Sequence, residues 1–378
     1  LIVDQCNKKS KNILSIAIFK NSNNFDLLRL MAAFAVIVGH AYPISPQPPL
    51  QDWVLSVLHF DYSGSLAVKF FFFLSGLLVT ESIINRPEPM KFIARRLFRI
   101  YPALLVCLLF TILIVGPIYT NGSLPDYFLQ KSTWTYLTKN LGLFRLQWKL
   151  PTVLDDSEFG LNGALWTLNF EFVCYVYVAV FCAIGVFSRR IISNLIFLSV
   201  IVVAFFAPHY LPYFSRNPDA VLLPACFSIG VLFAVNKKNI ILDIRLVALL
   251  WLLVMCLSEN RAHIISFYLA FFYTSIYLGS LPFTVAHLKL PFDASYGVYL
   301  YGFLVQQCVH ASLPNIGVHG NQIVSMIIAL ILGIFSWYLV EKPALKLGRE
   351  FTAKDWSQNP AIMKIRSIGS INVRIFKK

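Results

Sequence analysis

The chain has 378 residues, 57% of them hydrophobic and only 13% charged, with a mean hydropathy of +0.67. Soluble domains carry about 25% charged residues, so a soluble globular fold, a disordered chain and a secreted disulfide scaffold are all excluded. The net charge of +14 lies in short loops and a C-terminal tail, where it sets membrane orientation rather than binding nucleic acid.

Taken in chain order, residues 1–24 are polar and basic, a pattern from which no cleavable leader is expected. Ten apolar runs of near-spanning length follow, at about 26–45, 64–84, 99–119, 163–187, 191–207, 219–235, 239–257, 263–281, 294–312 and 321–341. In lipid a chain must satisfy its own backbone, so these runs predict an all-α polytopic protein of about ten transmembrane helices. The membrane domain is expected over 25–348, with a basic cytoplasmic tail, 349–378, resting on anionic lipid or disordered. Loop 120–162 contains Tyr127, Trp134, Tyr136 and Trp148, which suit an interfacial helix around 126–144. With the N-terminus inside, twenty-three Lys and Arg fall in inner segments and six in outer ones. That bias predicts N-in/C-in, with loops 46–62 and 120–162 external. Six of the seven cysteines lie in apolar runs and read as small buried hydrophobes.

Charge near mid-bilayer costs roughly 2.5–3.5 kcal/mol, so each ionisable residue in a span needs a reason. Arg29 and His40 share the first span, eleven residues and therefore about three turns apart, on one stripe. Glu171 lies in the fourth span at a depth similar to His40. A buried carboxylate needs a partner, and one that holds an imidazole fixes its tautomer and raises its basicity, as a general base requires. The plain alternatives are an interfacial Arg, a His satisfied by a backbone carbonyl, and a Glu bonded to Trp or Tyr. Arg96 and Arg99, three apart, share a helix face and can converge on a multivalent anion, with Arg95 pointing elsewhere. Their plain alternative is topology charge.

In the second span, Ser75 and Gly76 follow a run of four phenylalanines and allow close approach by another helix or a ligand. Lys69 is expected to snorkel at the outer end of that span. No histidine pair has metal-ligand spacing, so no metal is expected.

Taken together and in order, these segments resemble the acyltransferase 3 family of integral membrane acyltransferases. Phe25-Asp26-Leu27-Leu28-Arg29 through His40 resembles its first helix, and Phe71-Phe72-Phe73-Leu74-Ser75-Gly76 its second. Arg95-Arg96-Leu97-Phe98-Arg99 resembles the Arg-x-x-Arg segment, and Leu165-Trp166-Thr167-Leu168 with Glu171 the Trp-Thr-Leu-x-x-Glu element. Ser295-Tyr296-Gly297-Val298-Tyr299-Leu300-Tyr301 and Val340-Glu341-Lys342-Pro343 resemble the closing elements. The sequence departs from the pattern at Gly302, where many members carry a His, and at Asn169, where Pro is common.

The resemblance implies transfer of an acyl group, usually acetyl from acetyl-CoA, from the cytoplasm to a hydroxyl of an extracytoplasmic surface glycan or lipid-linked saccharide. It implies His40 as the catalytic residue with Glu171 in support, and Arg29, Arg96 and Arg99 handling acyl-CoA. No permanently bound cofactor is implied, and the setting is the bacterial inner membrane. His40 would act as base, or through a transient acyl-His. Two other classes remain open. A glycosyltransferase with a lipid-linked donor would use Asp155-Asp156, and a transporter or flippase would show repeat symmetry, which is not visible.

Overall fold

A helix stands on each of the ten apolar runs in the computed structural model, which describes residues 13–154, 160–258 and 260–354. These are α1 (Phe25–Ile44), α2 (Ser63–Asn85), α3 (Pro89–Phe110), α4 (Trp166–Ala183), α5 (Arg190–Phe206), α6 (Leu223–Val235), α7 (Ile244–Cys256), α8 (Arg261–Gly279), α9 (Ser295–Ser312) and α10 (Gly317–Ser336). Local chemistry sets several starts. Asp243 and Asn260 side chains accept from backbone N–H groups at the heads of α7 and α8, and Pro89 and Pro224 occupy first turns that need no N–H. Among the described residues there is no strand, and the protein is an all-α polytopic membrane protein.

Seven of the helices are long and apolar enough to cross a membrane; α5 and α7 are apolar but shorter. The remaining helix, α9, has the length but carries Gln306 and Gln307, both buried. It packs on α1 and α10, and a helix enclosed by protein need not be apolar all round.

Two π-helical turns extend the bundle. Thr111–Val115 carries α3 into Gly116–Tyr119, and Trp337–Glu341 carries α10 into a C-terminal helix, α11 (Lys342–Ala353). Each turn ends two residues before a proline, Pro117 and Pro343. In π register the Ile112 carbonyl would take its hydrogen bond from residue 117, which has no N–H. The Tyr127 hydroxyl donates to that carbonyl instead, at 2.8 Å.

Tyr127 belongs to the segment expected to form one interfacial helix over 126–144. Two short helices stand there, Leu124–Leu129 and Lys131–Leu141, broken at Gln130. Tyr127 and Tyr136 are buried in protein, leaving Trp134 and Trp148 exposed. Asp155-Asp156 lies outside the described residues, as do 1–12 and most of the basic tail.

The core of the bundle is the contact of α2 with α6. A Cβ on Gly76 would overlap the Phe227 carbonyl, and one on Gly230 would overlap the Phe73 carbonyl. The two glycines let the backbones meet from both sides, so Gly76 serves helix packing. Lys69 does not snorkel. It is buried and pairs with Asp61 at 2.8 Å, because a buried carboxylate at that depth offers it a closer partner than the interface. Three cysteines, Cys107, Cys174 and Cys226, are buried as expected; Cys182 and Cys308 are half-buried and Cys256 is exposed on the apolar periphery.

Chain alternation brings the start of α1, the end of α2 and the start of α3 to one end of the bundle. There Lys237 pairs with Glu81, Arg190 donates to Asn236, and Asn24 N–H bonds Gly279. We refer to it as the basic end.

Candidate active site

Five helices converge near the basic end around a partly open cavity of about 830 Å3. Arg29 reaches it from α1, Ser75 from α2, Arg96 and Arg99 from α3, Glu171 and Tyr175 from α4, and Tyr296 and Tyr299 from α9. Residues spread over 270 positions of sequence thus share one space, and all of the predicted polar residues except His40 line it.

Each arginine meets different company. Arg29 is part-exposed, and its nearest carboxylate is Asp26, one turn back at 3.6 Å. Arg99 is fully engaged: one terminal nitrogen donates to Asp293 at 2.9 Å and the other to Glu341 at 3.1 Å. The π turn before Pro343 is what carries Glu341 into the interior, where Ser336 also donates to it. Burial alone would raise the Asp293 carboxyl, but Arg99 beside it, with Arg29 and a hydrogen bond from Ser295, holds it down at about 2. Among the described residues Arg96 has no carboxylate within pairing distance. It lies over the rings of Phe92 and Tyr175, 5.6 and 5.8 Å from their centres, and its buried Nε has no hydrogen-bond partner. The two arginines expected to act alike therefore differ: one is clamped and the other is free to donate.

Glu171 accepts from Ser75 Oγ at 3.2 Å and from the Tyr175 hydroxyl, and Ser75 donates to that hydroxyl oxygen at 3.1 Å. This triangle ties α2 to α4 across the cavity wall. The carboxylate does not hold His40, as similar depth had suggested; its partner is the tyrosine one turn along its own helix. Ser75 consequently lines the cavity while its neighbour Gly76 packs on α6.

His40 stands outside the lining, further along α1. Its ring meets Phe303 edge-on at 5.1 Å, and its buried Nδ1 has no partner. Phe303 is one turn beyond Tyr299 on α9, so an aromatic layer links a cavity-lining residue to the histidine. Tyr299 donates to the Ala164 carbonyl at 2.9 Å and bonds Thr167 at 2.5 Å, which anchors this layer to the start of α4.

Sequence reasoning missed Tyr175, Asp293, Glu341 and Tyr299 as members of the site. Tyr175 was discoverable as the residue four after Glu171; the others come from across the chain.

The chain matches the family model for the acyltransferase domain over residues 22–342. The chain belongs to the acyltransferase 3 family. Among its relatives, the "O-acetyl transferase" of Shigella phage Sf6 is 30% identical over 336 residues, covering 85% of this chain and 95% of the relative. "Nodulation protein 10" of Rhizobium leguminosarum bv. viciae is 28% identical over 368 residues, covering 88% and 95%. "Acyltransferase MdmB" of Streptomyces mycarofaciens is 33% identical over 151 residues, covering 39% and 36%. No solved structure matches significantly. This acyltransferase 3 protein is therefore an O-acyltransferase enzyme embedded in the membrane by many helices.

Proposed function

We propose that the enzyme takes an acetyl group from acetyl-CoA at the cytoplasmic face of a bacterial inner membrane and passes it to a hydroxyl of an extracytoplasmic glycan. The observation that carries this reading is the position of the cavity. It holds arginines at the basic end and is lined by Tyr299, one turn from the Phe303 ring that His40 meets. A donor with a phosphorylated end and a long thioester arm suits such a space, with Arg96 as a charge-assisted donor to phosphate. Arg99, clamped by Asp293 and Glu341, holds α3, α9 and α10 in register around it.

His40 is the base in this scheme. Its ring takes the proton of the acceptor hydroxyl as the oxygen attacks the thioester carbonyl. The tetrahedral intermediate collapses with cleavage of the C–S bond, and the thiolate leaves as CoA, receiving the proton from His40. The acceptor carries away the acetyl ester. Glu171 acts through Ser75 and Tyr175 on the cavity wall and not on the imidazole.

Membranes containing the protein, incubated with acetyl-CoA radiolabelled in the acetyl group, are expected to pass label to surface polysaccharide in an alkali-labile ester. Label that stays in acetyl-CoA, with a proven acceptor-bearing strain and normal protein level, overturns the reading.

A further inference from the structure

The outer half of α1 has a break in its own hydrogen-bond ladder. Pro43 has no N–H, so the Gly39 carbonyl, four residues back, gains no helical bond from it, and His40 sits inside that turn. Neighbouring helices hold the turn instead. On one side α2 comes close: a Cβ on Gly39 would lie 2.6 Å from the Gly64 nitrogen. On the other, α9 closes in at Gly302, where a Cβ would come within 2.9 Å of the Ile37 side chain. That approach brings Gln306 to α1, and its Nε2 donates to the Ile37 carbonyl at 2.8 Å. From α10, Gln322 Nε2 donates to the next carbonyl, that of Val38, at 3.1 Å.

The two glutamines make the same bond to α1 but differ at their other ends. The Gln322 oxygen bonds His319 Nδ1 at 3.0 Å. Gln306 Nε2 faces two acceptors, the Ile37 carbonyl and, at 3.3 Å, Asn321 Oδ1, which fixes the amide's orientation and turns Oε1 away from both. Gln306 is wholly buried, and its Oε1 has no partner among the described residues. A buried acceptor left over in this way calls for a donor. His40 Nδ1, also buried and unpartnered, belongs to the residue one turn after Ile37. Helical side chains lean back over the turn before their own, so the His40 ring lies over the turn of Ile37 and the Gln306 amide over the turn of Phe303, whose ring His40 meets. A neutral imidazole has one N–H and one bare nitrogen, and a carboxamide oxygen only accepts. The two orphans are therefore complementary when the imidazole hydrogen is on Nδ1.

We propose that Gln306 is the positioning residue for His40: its Oε1 accepts from Nδ1–H, which leaves Nε2 bare to act as the base. The inference rests on His40 being that base and adds what selects its reactive nitrogen. In the transfer step Nε2 takes the proton of the acceptor hydroxyl, the imidazolium keeps Nδ1–H on Gln306, and Nε2 returns its proton to the departing thiolate.

Nitrogen-15 magnetic resonance on the full chain with labelled histidine reads the tautomer directly, and the His40 signal is the one missing from His40→Gln. In the parent it is expected in the Nδ1–H form. Gln306→Met, of similar length but without the oxygen, should lose that form, and Gln306→Glu, which keeps an acceptor oxygen, should retain it. An Nε2–H tautomer in the parent, or an unchanged His40 signal in Gln306→Met, overturns the assignment. The parent measurement needs no substitution at 306, so it stands even if Gln306→Met yields no protein. Turnover is the second arm. Gln306→Met is expected to lower kcat about tenfold or more with KM for acetyl-CoA unchanged, whereas Gln322→Met, which loses the same kind of bond to α1, should keep kcat near that of the parent. Equal falls in kcat for the two variants reduce Gln306 to a helix anchor and overturn the proposal. A tautomer that depends on Gln306 in a protein whose His40→Ala variant still transfers acetyl upholds the contact and removes the base reading instead.

Discussion

Arg99 and Arg96 occupy one helix face three residues apart, yet their surroundings separate them completely. Removing one partner of a buried ion pair strands the other, at a cost of about 3–5 kcal/mol. Arg99→Ala should therefore lower thermal stability in detergent, because it strands Asp293 and Glu341, while Arg96→Ala should leave stability near that of the parent. Equal melting temperatures for the two variants contradict this division. The linkage has a definite sign. Asp293 is held at about 2, below its ordinary 3.8, so its contribution to stability is complete above about 4 and is lost as pH falls toward 2. The stability gap between the parent and Asp293→Asn should stay constant from neutral pH down to about 4 and close below it, as read by thermal melts across pH. Glu171 gives the second residue-scale expectation. Its partners are Tyr175 and Ser75, so Glu171→Gln and Tyr175→Phe should be non-additive in kcat, whereas Glu171→Gln and a partial His40 variant such as His40→Gln should add. His40→Ala should abolish transfer while retaining acetyl-CoA binding. Additivity at 171 and 175 with coupling to 40 would restore the carboxylate–imidazole pair. Arg29, Arg96, Arg99 and Glu171 were legible because charge in an apolar run is conspicuous. Their partners were not, since Asp293 and Glu341 lie 194 and 242 residues from Arg99.

At the level of elements, run length located all ten helices, and proline placed the two π turns that steer Tyr127 and Glu341. Which helix packs on which was not readable. A helix such as α2 is apolar on every side and shows no stripe that points to a partner. Ser75-Gly76 marked a close approach without naming what approached; the answer is Phe227 and the reciprocal Gly230 of α6. This reciprocity predicts a stability effect with little direct chemistry. Gly230→Ala must push α6 off the Phe73 carbonyl, and overpacking of this kind costs about 1–3 kcal/mol. Its melting temperature should fall in detergent, with apparent KM for acetyl-CoA unchanged in the protein that remains folded. Ser75→Ala, one residue before Gly76 but facing the cavity, should show the opposite pattern: near-parental melting and a changed kcat. A Gly230→Ala variant as stable as the parent would mean that the two backbones are not in contact.

Across the whole molecule, strict alternation of ten helices gathers the basic loops at one end, and the cavity and α11 lie there. The opposite end is closed by the two short helices after Tyr119, where Thr120 bonds Thr152. The excess of Lys and Arg on one side is expected to orient the protein with the basic end in the cytoplasm. The expectation is testable residue by residue. In a background with the native cysteines replaced, Asn121→Cys and Ser188→Cys both put an exposed thiol in a loop, on opposite ends of the bundle. With the outer barrier opened, an impermeant thiol reagent should label position 121 in intact cells and position 188 only after the membrane is broken. The reverse pattern would place the arginines outside, away from any cytoplasmic donor. Arg96 would then face the glycan side, and an acyl-CoA mechanism would no longer be tenable, whatever the activity of His40 variants.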